Sequence, residues 1–295
     1  MYLLQRVEDL SIGTSDARKN VAEFVLKEQK DLLRYSIDEV AAKTFTSKST
    51  VTRFAKLLGF SGWRDFLRAF VAEQKYQSRY EGGTDVNYPF GEDSEVEEII
   101  ERIGNVHRES IQDTEEKLDK NMLGRAVNYL YRAGQVVIFA SSPNVYLGEL
   151  FARKMLSVGK NIKVACTGEF GLNAYGLGPM DCALLISYSG NNRAVEPMSS
   201  LMILKEQKVP IIGITSEGDN YLRRNADCVL SISSRERLYS KIAGFATEES
   251  IGYILNVLFG CYYARDYEKN RLFKEDRAKV LERNRTAILK EMQEM

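Results

Sequence analysis

The spacing of hydrophobic positions changes character near residue 135, from helical repeats to short continuous runs separated by turns. Before that point, Val21, Phe24 and Val25 mark one apolar face behind Ser15-Asp16. Ser36-Ile37-Asp38-Glu39 is a capping box, in which the Ser and Glu side chains satisfy each other's orphan amides. It opens a short helix with Ile37, Val40 and Ala41 inward. After Lys43-Thr44-Phe45-Thr46, Ser47 is an N-cap, and Val51, Phe54, Ala55 and Leu58 recur at helical spacing up to Gly59, a natural C′ residue. Trp63, Phe66, Leu67 and Phe70 predict the core face of a further helix. Residues 78–84, Ser-Arg-Tyr-Glu-Gly-Gly-Thr, read as a linker. Ser94-Glu95-Val96-Glu97 predicts a second capping box, opening an acidic helix to about Leu118 with Val96, Ile99, Ile100 and Ile103 as its stripe.

From Gln135 onward, residues 136–140, 162–166, 182–187, 211–215 and 228–232 read as buried strands, with amphipathic segments such as 147–158 and 194–205 between them. Near-continuous apolar strands alternating with helices predict a five-stranded parallel sheet covered by helices on both faces. The predicted organisation is an all-α domain at 1–78, a linker at 79–92, an α/β domain with a leading helix at 93–263, and a charged helical tail at 264–295. In that tail Phe273, Val280 and Ala287 stand seven apart, which suits packing across a partner subunit or capping the tail's own domain.

Charge changes the picture in one place. The chain carries 41 basic and 41 acidic residues, yet residues 41–70 hold Lys43, Lys48, Arg53, Lys56, Arg64 and Arg68 against Asp65 alone. Such a surface is either a solvated face or a polyanion footprint. The helix after Ser47 presents Lys48, Ser49, Thr52, Arg53 and Lys56 opposite its apolar stripe. Two short helices joined by a tight turn, the second with hydroxyls and cations near its N-terminus, follow helix-turn-helix logic; the alternative is an ordinary three-helix subdomain. Composition is that of a globular protein, and no apolar run approaches the ~18–20 residues of a membrane span. Residues 1–8 lack the basic segment and apolar core of a secretory signal, so a cytoplasmic location is expected.

Chemistry is sparse elsewhere. Cys166, Cys182, Cys228 and Cys261 are scattered, which predicts reduced, buried thiols with neither zinc nor disulfides. The single histidine, His107, falls on the acidic helix and reads as a surface or interface residue. No catalytic, metal or cofactor set is expected. Two strand ends stand out: Ser141-Ser142-Pro143-Asn144 after the first strand, and Ser187-Tyr188-Ser189-Gly190-Asn191-Asn192 after the third. Hydroxyls, side-chain amides and backbone amides at helix N-termini make an anion cradle, although Ser and Asn also serve as plain strand-to-helix turns. In such sheets ligands bind beyond the carboxyl ends of the strands, at the switch point. Glu248 and Glu249 open the helix after the sheet and are either pocket carboxylates or helix-dipole partners.

Residues 36–70 resemble the N-terminal domain of RpiR-type regulators, through the Ser-x-x-Thr-Val-x-Arg-Phe element at Ser47 and Thr50 to Phe54, and the Leu-Gly-Phe-x-Gly-aromatic element at Leu58 to Trp63. Phe45-Thr46 stand where many helix-turn-helix units carry Gly. Asn87-Tyr88-Pro89-Phe90 is similar to a segment these regulators carry before their second half. Residues 133–227 resemble the sugar isomerase (SIS) fold, a phosphosugar-binding module: Ile186-Ser187-Tyr188-Ser189-Gly190 matches its second signature, with Asn192 at a position usually Thr and Ala194 where Glu is frequent. The first signature, usually Gly-x-Gly-x-Ser, aligns with residues 140–144, where both glycines are lost and Asn144 replaces the Ser.

The resemblance implies a regulator that contacts double-stranded DNA through Ser47, Lys48, Ser49, Thr50, Thr52, Arg53, Lys56 and Arg64, with Lys56 and Arg64 on phosphates. It implies a phosphorylated sugar or sugar acid as effector, held by Ser142, Asn144, Ser187, Ser189, Gly190, Asn192 and Glu248. A homodimer or dimer of dimers would suit two operator half-sites. Two other readings stay open: a phosphosugar isomerase, disfavoured because no histidine follows Gln135 to open a sugar ring, and a DNA-binding protein whose SIS domain serves only dimerisation.

Overall fold

A computed structural model describes residues 3–13, 17–29, 31–78, 84–233 and 235–281. Ser15-Asp16, residues 79–83 of the expected linker and Ala287 lie outside the described residues. Five helices form the N-terminal domain: α1 (Leu3–Gly13), α2 (Ala17–Lys27), α3 (Ile37–Lys43), α4 (Lys48–Leu57) and α5 (Trp63–Ser78). Their inward faces meet in one core that includes Leu4, Val7, Val25, Val51, Phe54 and Phe66. Phe66 sits at its centre, stacked on Trp63 with centroids 5.0 Å apart and on Phe70 at 5.6 Å, and edge-on to Phe54 at 5.5 Å. Helix α1 is an addition to the elements expected from spacing.

The capping box at Ser36 forms: the Glu39 amide donates to Ser36 Oγ, and the Ser36 amide donates to the Glu39 carboxylate at 2.7 Å. Ser47 caps α4, accepting from the Thr50 amide. The turn between α3 and α4 closes without glycine. Phe45 takes the left-handed C′ position with φ 52°, while the Thr46 amide donates to Ala41 O and the Phe45 amide to Ala42 O. The Phe45 side chain is 93% exposed, so this turn is set by backbone bonds and by Thr44 Oγ1 donating to Val40 O, not by packing of the ring.

A long helix, α6 (Val96–Lys117), leads into the second domain. Its N-cap is Glu95, with no side-chain cap, because the Ser94 hydroxyl is engaged by the Gly91 amide; the second capping box does not form. Val96 and Ile100 are exposed, and the buried face is Val106, Ser110, Asp113 and Thr114, four positions of which only one is apolar. Burial of this face is polar because Ser110 and Thr114 return their hydroxyls to the helix's own carbonyls.

Then follow α7 (Lys120–Arg132), β1 (Val136–Ala140), α8 (Asn144–Leu156), β2 (Lys163–Val164), α9 (Phe170–Tyr175), β3 (Cys182–Ile186), α10 (Leu201–Glu206), β4 (Ile211–Ser216), α11 (Tyr221–Asn225), β5 (Cys228–Ile232), α12 (Phe245–Arg265) and α13 (Tyr267–Leu281). The sheet is wholly parallel, ordered β2-β1-β3-β4-β5, with Ala140 beside Ile186 and Ile186 beside Ile214. Alternation within each strand splits the core in two. Val136, Ile138, Leu184, Ile186, Ile212 and Ile214 face α7, α8 and α12. Val137, Phe139, Ala183, Leu185 and Ile211 face α9, α10 and α11. Helices therefore cover both faces, as expected for strands that are apolar on both sides.

Three expectations need correction. β2 is only two residues long, at the sheet edge. Helix structure in the 194–205 segment starts late: residues 194–197 form turns, and α10 begins at Leu201 after one 3-10 turn. Pro197 explains the delay, since it lacks a donor and disfavours helical backbone at Glu196 before it. Cys166 is exposed, whereas Cys182 and Cys228 are buried, and burial pushes the Cys228 thiol up to about 11 and Cys182 up further. The tail packs on its own domain as far as it is described: the Phe273 ring lies against Gly159, and Tyr131 Oη donates to Asp266 at 2.7 Å.

Candidate functional site

Two surfaces gather the residues singled out by sequence. The first is the outer face of α4. Lys48, Ser49, Arg53 and Lys56 are exposed, Thr50 and Thr52 half-buried, and Arg64 projects from the first turn of α5. Ser47 Oγ lies 2.7 Å from Ser49 Oγ and 3.0 Å from Thr50 Oγ1, so the hydroxyls cluster at the helix N-terminus. Lys48 pairs with Asp38 on α3, an exposed contact that a phosphate can replace at little cost. Thr52 returns its hydroxyl to Lys48 O. Cations and hydroxyls thus share one open face, backed by a core that holds α3 and α4 rigidly together.

The second surface lies at the C-terminal ends of the strands. The chain moves from β1 to one neighbour, β2, and then back to the other, β3, so the switch point falls between β1 and β3. Beyond β3 the loop is tied down by backbone and buried amide bonds. The Ser216 amide donates to Tyr188 O at 3.1 Å, and the Leu222 amide to Gly190 O at 2.8 Å. Gly190 has φ 61°, and a Cβ there would fall 2.6 Å from Asn220 Oδ1 and 2.8 Å from Thr215 Oγ1. Asn220, fully buried, caps α11 through the Arg223 amide at 2.8 Å and donates to Thr215 Oγ1 and Ser216 O. Asn191 Oδ1 accepts from the Tyr221 amide at 3.0 Å. Only glycine lets the 187–192 loop lie against this polar post.

The result is a cavity of about 420 Å³ lined by Asp9, Ser189, Asn191, Asn192, Leu238 and Tyr239. Ser189 and Asn192 therefore share one cavity. Ser187 and Gly190 form its frame: the Gly190 amide donates to Ser187 Oγ at 3.2 Å. Ser142 and Asn144 sit on the adjacent strand end but do not line it, and the Val145 amide at the start of α8 is engaged by Ser141 O. Ser141, not Ser142, ties the two loops, donating to Glu196 O at 3.1 Å. Because α10 begins only at Leu201, no helix N-terminus directly follows Asn192.

Glu248 lies apart, on the first turn of α12. Partial burial, then the nearby Glu236 charge, push its carboxyl up, against the pull of Lys241. Its neighbour Glu249 approaches His107 Nδ1 at 3.7 Å, which places the lone histidine on a surface contact. Spacing gave no sign of Glu236, the residue that organises this region. Its buried carboxylate accepts from the Ala246 amide at 2.5 Å, from Thr247 Oγ1 at 2.6 Å and from Lys241 Nζ at 2.9 Å, so the N-terminus of α12 is neutralised from within. The Glu236 carbonyl also accepts from Tyr188 Oη at 2.5 Å. Asn87 pins the same loop, through its Oδ1 to the Arg237 amide and its carbonyl to the Ile242 amide. Among the described residues no group of three or more His, Cys, Asp or Glu is placed to hold a metal.

The comparisons define the class. Residues 1–78 match the family model for the helix-turn-helix domain of the rpiR family, and residues 129–247 match that of the SIS domain. The chain thus carries a helix-turn-helix domain of the rpiR family followed by a SIS domain. Among relatives, it is 22% identical over 285 residues to an HTH-type transcriptional regulator of Caldanaerobacter subterraneus subsp. tengcongensis, covering 95% of this chain and 96% of that one. It is 26% identical over 231 residues to the HTH-type transcriptional regulator HexR of Pseudomonas aeruginosa, covering 77% and 78%. The fold matches that of Vibrio vulnificus NanR in complex with ManNAc-6P, with TM-score 0.61, 19% identity, and coverage of 97% of this chain and 100% of NanR. No helix among the described residues is long and apolar enough to cross a membrane.

Proposed function

We propose that this regulator reads double-stranded DNA with the exposed face of α4, senses a phosphorylated sugar or sugar acid beyond β3, and performs no catalysis. Ser47, Lys48, Ser49, Thr50, Thr52 and Arg53 supply the groove-facing end, and Lys56 and Arg64 reach flanking phosphates. A cytoplasmic homodimer, or a dimer of dimers, presents two such helices to paired half-sites. The observation that carries the sensor half is the opening of Ser189 and Asn192 onto one cavity beyond the C-terminal end of β3, of a size that suits a small ligand. NanR, which shares the fold and is complexed with ManNAc-6P, supports a hexose 6-phosphate as the first ligand to try. Ser142 and Asn144, on the neighbouring strand end outside the cavity lining, would be reached, like Glu248, only by a ligand that extends beyond the cavity.

To act as an effector, the ligand must bind one arrangement of the regulator better than another; a tenfold preference contributes about 1.4 kcal/mol. Isothermal titration with N-acetylmannosamine 6-phosphate and other hexose 6-phosphates tests the sensor half. Binding that Ser189→Ala and Asn192→Ala weaken about tenfold each, the loss expected for a hydrogen bond to an anion, supports it. Binding unaffected by both variants places the site elsewhere.

A further inference from the structure

The cavity beyond β3 is not made by the SIS domain alone. One of its walls is Asp9, from the first helix of the DNA-binding domain. The inward side chains of α1, Leu3, Leu4 and Val7, are buried in the N-terminal core. Its next two residues turn to the segment after β5. Asp9 Oδ1 accepts from Tyr239 Oη at 3.1 Å. Glu8 accepts from the Leu238 amide beside the Arg237 guanidinium, yet its Oε2 is buried with no hydrogen-bond partner.

This junction is weak for a definable reason. It buries the Glu8 carboxylate and half-buries that of Asp9, and this desolvation pushes both carboxyls up from their ordinary values. An unpaired buried oxygen on Glu8 opposes docking, since a desolvated acceptor without a donor is costly. Among the described residues no lysine or arginine lines the cavity, so the Asp9 charge faces a second anion there without a cation in the lining. The segment that α1 grips is itself held firmly by Glu236 and Asn87, so strain at the contact is taken up by α1 and not by the loop.

We propose that the ligand cavity is shared between the two domains, with Asp9 as the wall contributed by the DNA-binding domain, so that an anionic ligand loosens α1 from Tyr239 and frees the DNA reader. The proposal rests on the sensor reading above and adds its regulation. Because α1 is part of the N-terminal core, its release moves α4 with it. The coupling is reciprocal: whatever holds α1 against Tyr239 weakens the ligand by the same factor that the ligand weakens the contact.

The test uses the full chain, with hydrogen exchange of the α1 amides and titration of N-acetylmannosamine 6-phosphate and glucose 6-phosphate. Asp9→Asn, which removes one unit charge from the wall, is expected to bind the sugar phosphate about fivefold tighter. Saturating ligand is expected to speed α1 exchange in the wild type. Tyr239→Phe, which keeps the charge and removes the hydrogen bond, is expected to speed α1 exchange without ligand, a readout independent of which sugar is right. Ligand binding with unchanged α1 exchange and unchanged affinity in Asp9→Asn would overturn the coupling and leave the sensor reading standing. Weaker binding in Asp9→Asn would also overturn it, making Asp9 a reader of sugar hydroxyls. Failure of either sugar to bind wild type or variant, together with no change in exchange in Tyr239→Phe, would remove the sensor reading and the coupling alike.

Discussion

Replacing Gly190 with alanine tests the packing of the ligand loop most sharply. Two costs add at this position. A non-glycine residue at φ 61° loses about 1 kcal/mol or slightly more to the left-handed backbone. The new Cβ would also stand 2.6 Å from Asn220 Oδ1 and 2.9 Å from Asn220 Cγ, too close for any real contact, so Asn220 must move. Moving it breaks the cap of α11, worth about 1 kcal/mol, and disturbs buried bonds to Thr215 and Ser216, worth about 1–3 kcal/mol. The expected loss is about 3–5 kcal/mol for the C-terminal domain. Gly168→Ala is the control: φ is 84° and nothing lies within 4 Å, so only the backbone cost of about 1 kcal/mol applies. The only tryptophan, Trp63, is in the N-terminal domain, so its fluorescence does not report this loss. Chemical denaturation followed by hydrogen exchange of β3 and β4 amides does. Equal destabilisation by the two variants would refute the argument that Asn220 is the post against which the loop is built.

Other consequences are open to direct measurement. Phe45→Gly relieves a left-handed residue whose ring is 93% exposed, and is expected to stabilise the N-terminal domain by about 1 kcal/mol, read from Trp63 fluorescence during denaturation; an unchanged or less stable variant contradicts this. Lys56→Ala and Arg64→Ala are each expected to reduce the slope of log affinity for DNA against log salt by about 1, while Lys163→Ala, on the edge strand, leaves it unchanged. Glu73 holds the Leu3 and Leu4 amides at the start of α1, and burial raises its carboxyl from 4.5 to about 7. The folded state therefore keeps a proton that the unfolded state releases between those values. Its contribution is full below pH 4.5 and lost as pH rises through about 7. Glu73→Gln should reduce that slope in the pH dependence of N-terminal stability, leaving the part owed to Glu8 and Asp9, and an unchanged slope would contradict the assignment.

Much of the fold was legible because local signals agreed. The Ser36 box, the Ser47 cap and the Val51-Phe54-Ala55-Leu58 stripe each set a boundary by short-range chemistry, and each forms as expected. The strands were legible because both faces are buried, which leaves continuous apolar runs. Ser94 misled because its hydroxyl has a nearer partner in the Gly91 amide, a competition that spacing does not reveal. In the segment after β3 the amphipathic spacing runs through Pro197, which delays the helix to Leu201. The missed parts of the site share one property. Asp9, Tyr239, Glu236 and Asn220 lie far from the Ser187–Asn192 motif in sequence or outside any repeat, and they meet it only through tertiary packing. Ser189 and Asn192, carried by the motif itself, open onto the cavity; the residues around them could not be read from the motif.

The central claim is that one chain couples DNA reading to a sugar phosphate, and fluorescence anisotropy on fragments flanking its own gene tests it most directly. Binding should be specific, should fall steeply as salt rises from about 50 to 200 mM, and should shift by tenfold or more when one hexose 6-phosphate is added. Specific binding that no hexose 6-phosphate or sugar acid phosphate alters would contradict the sensor half. The absence of specific, salt-dependent binding on genome-wide fragments would contradict the account as a whole.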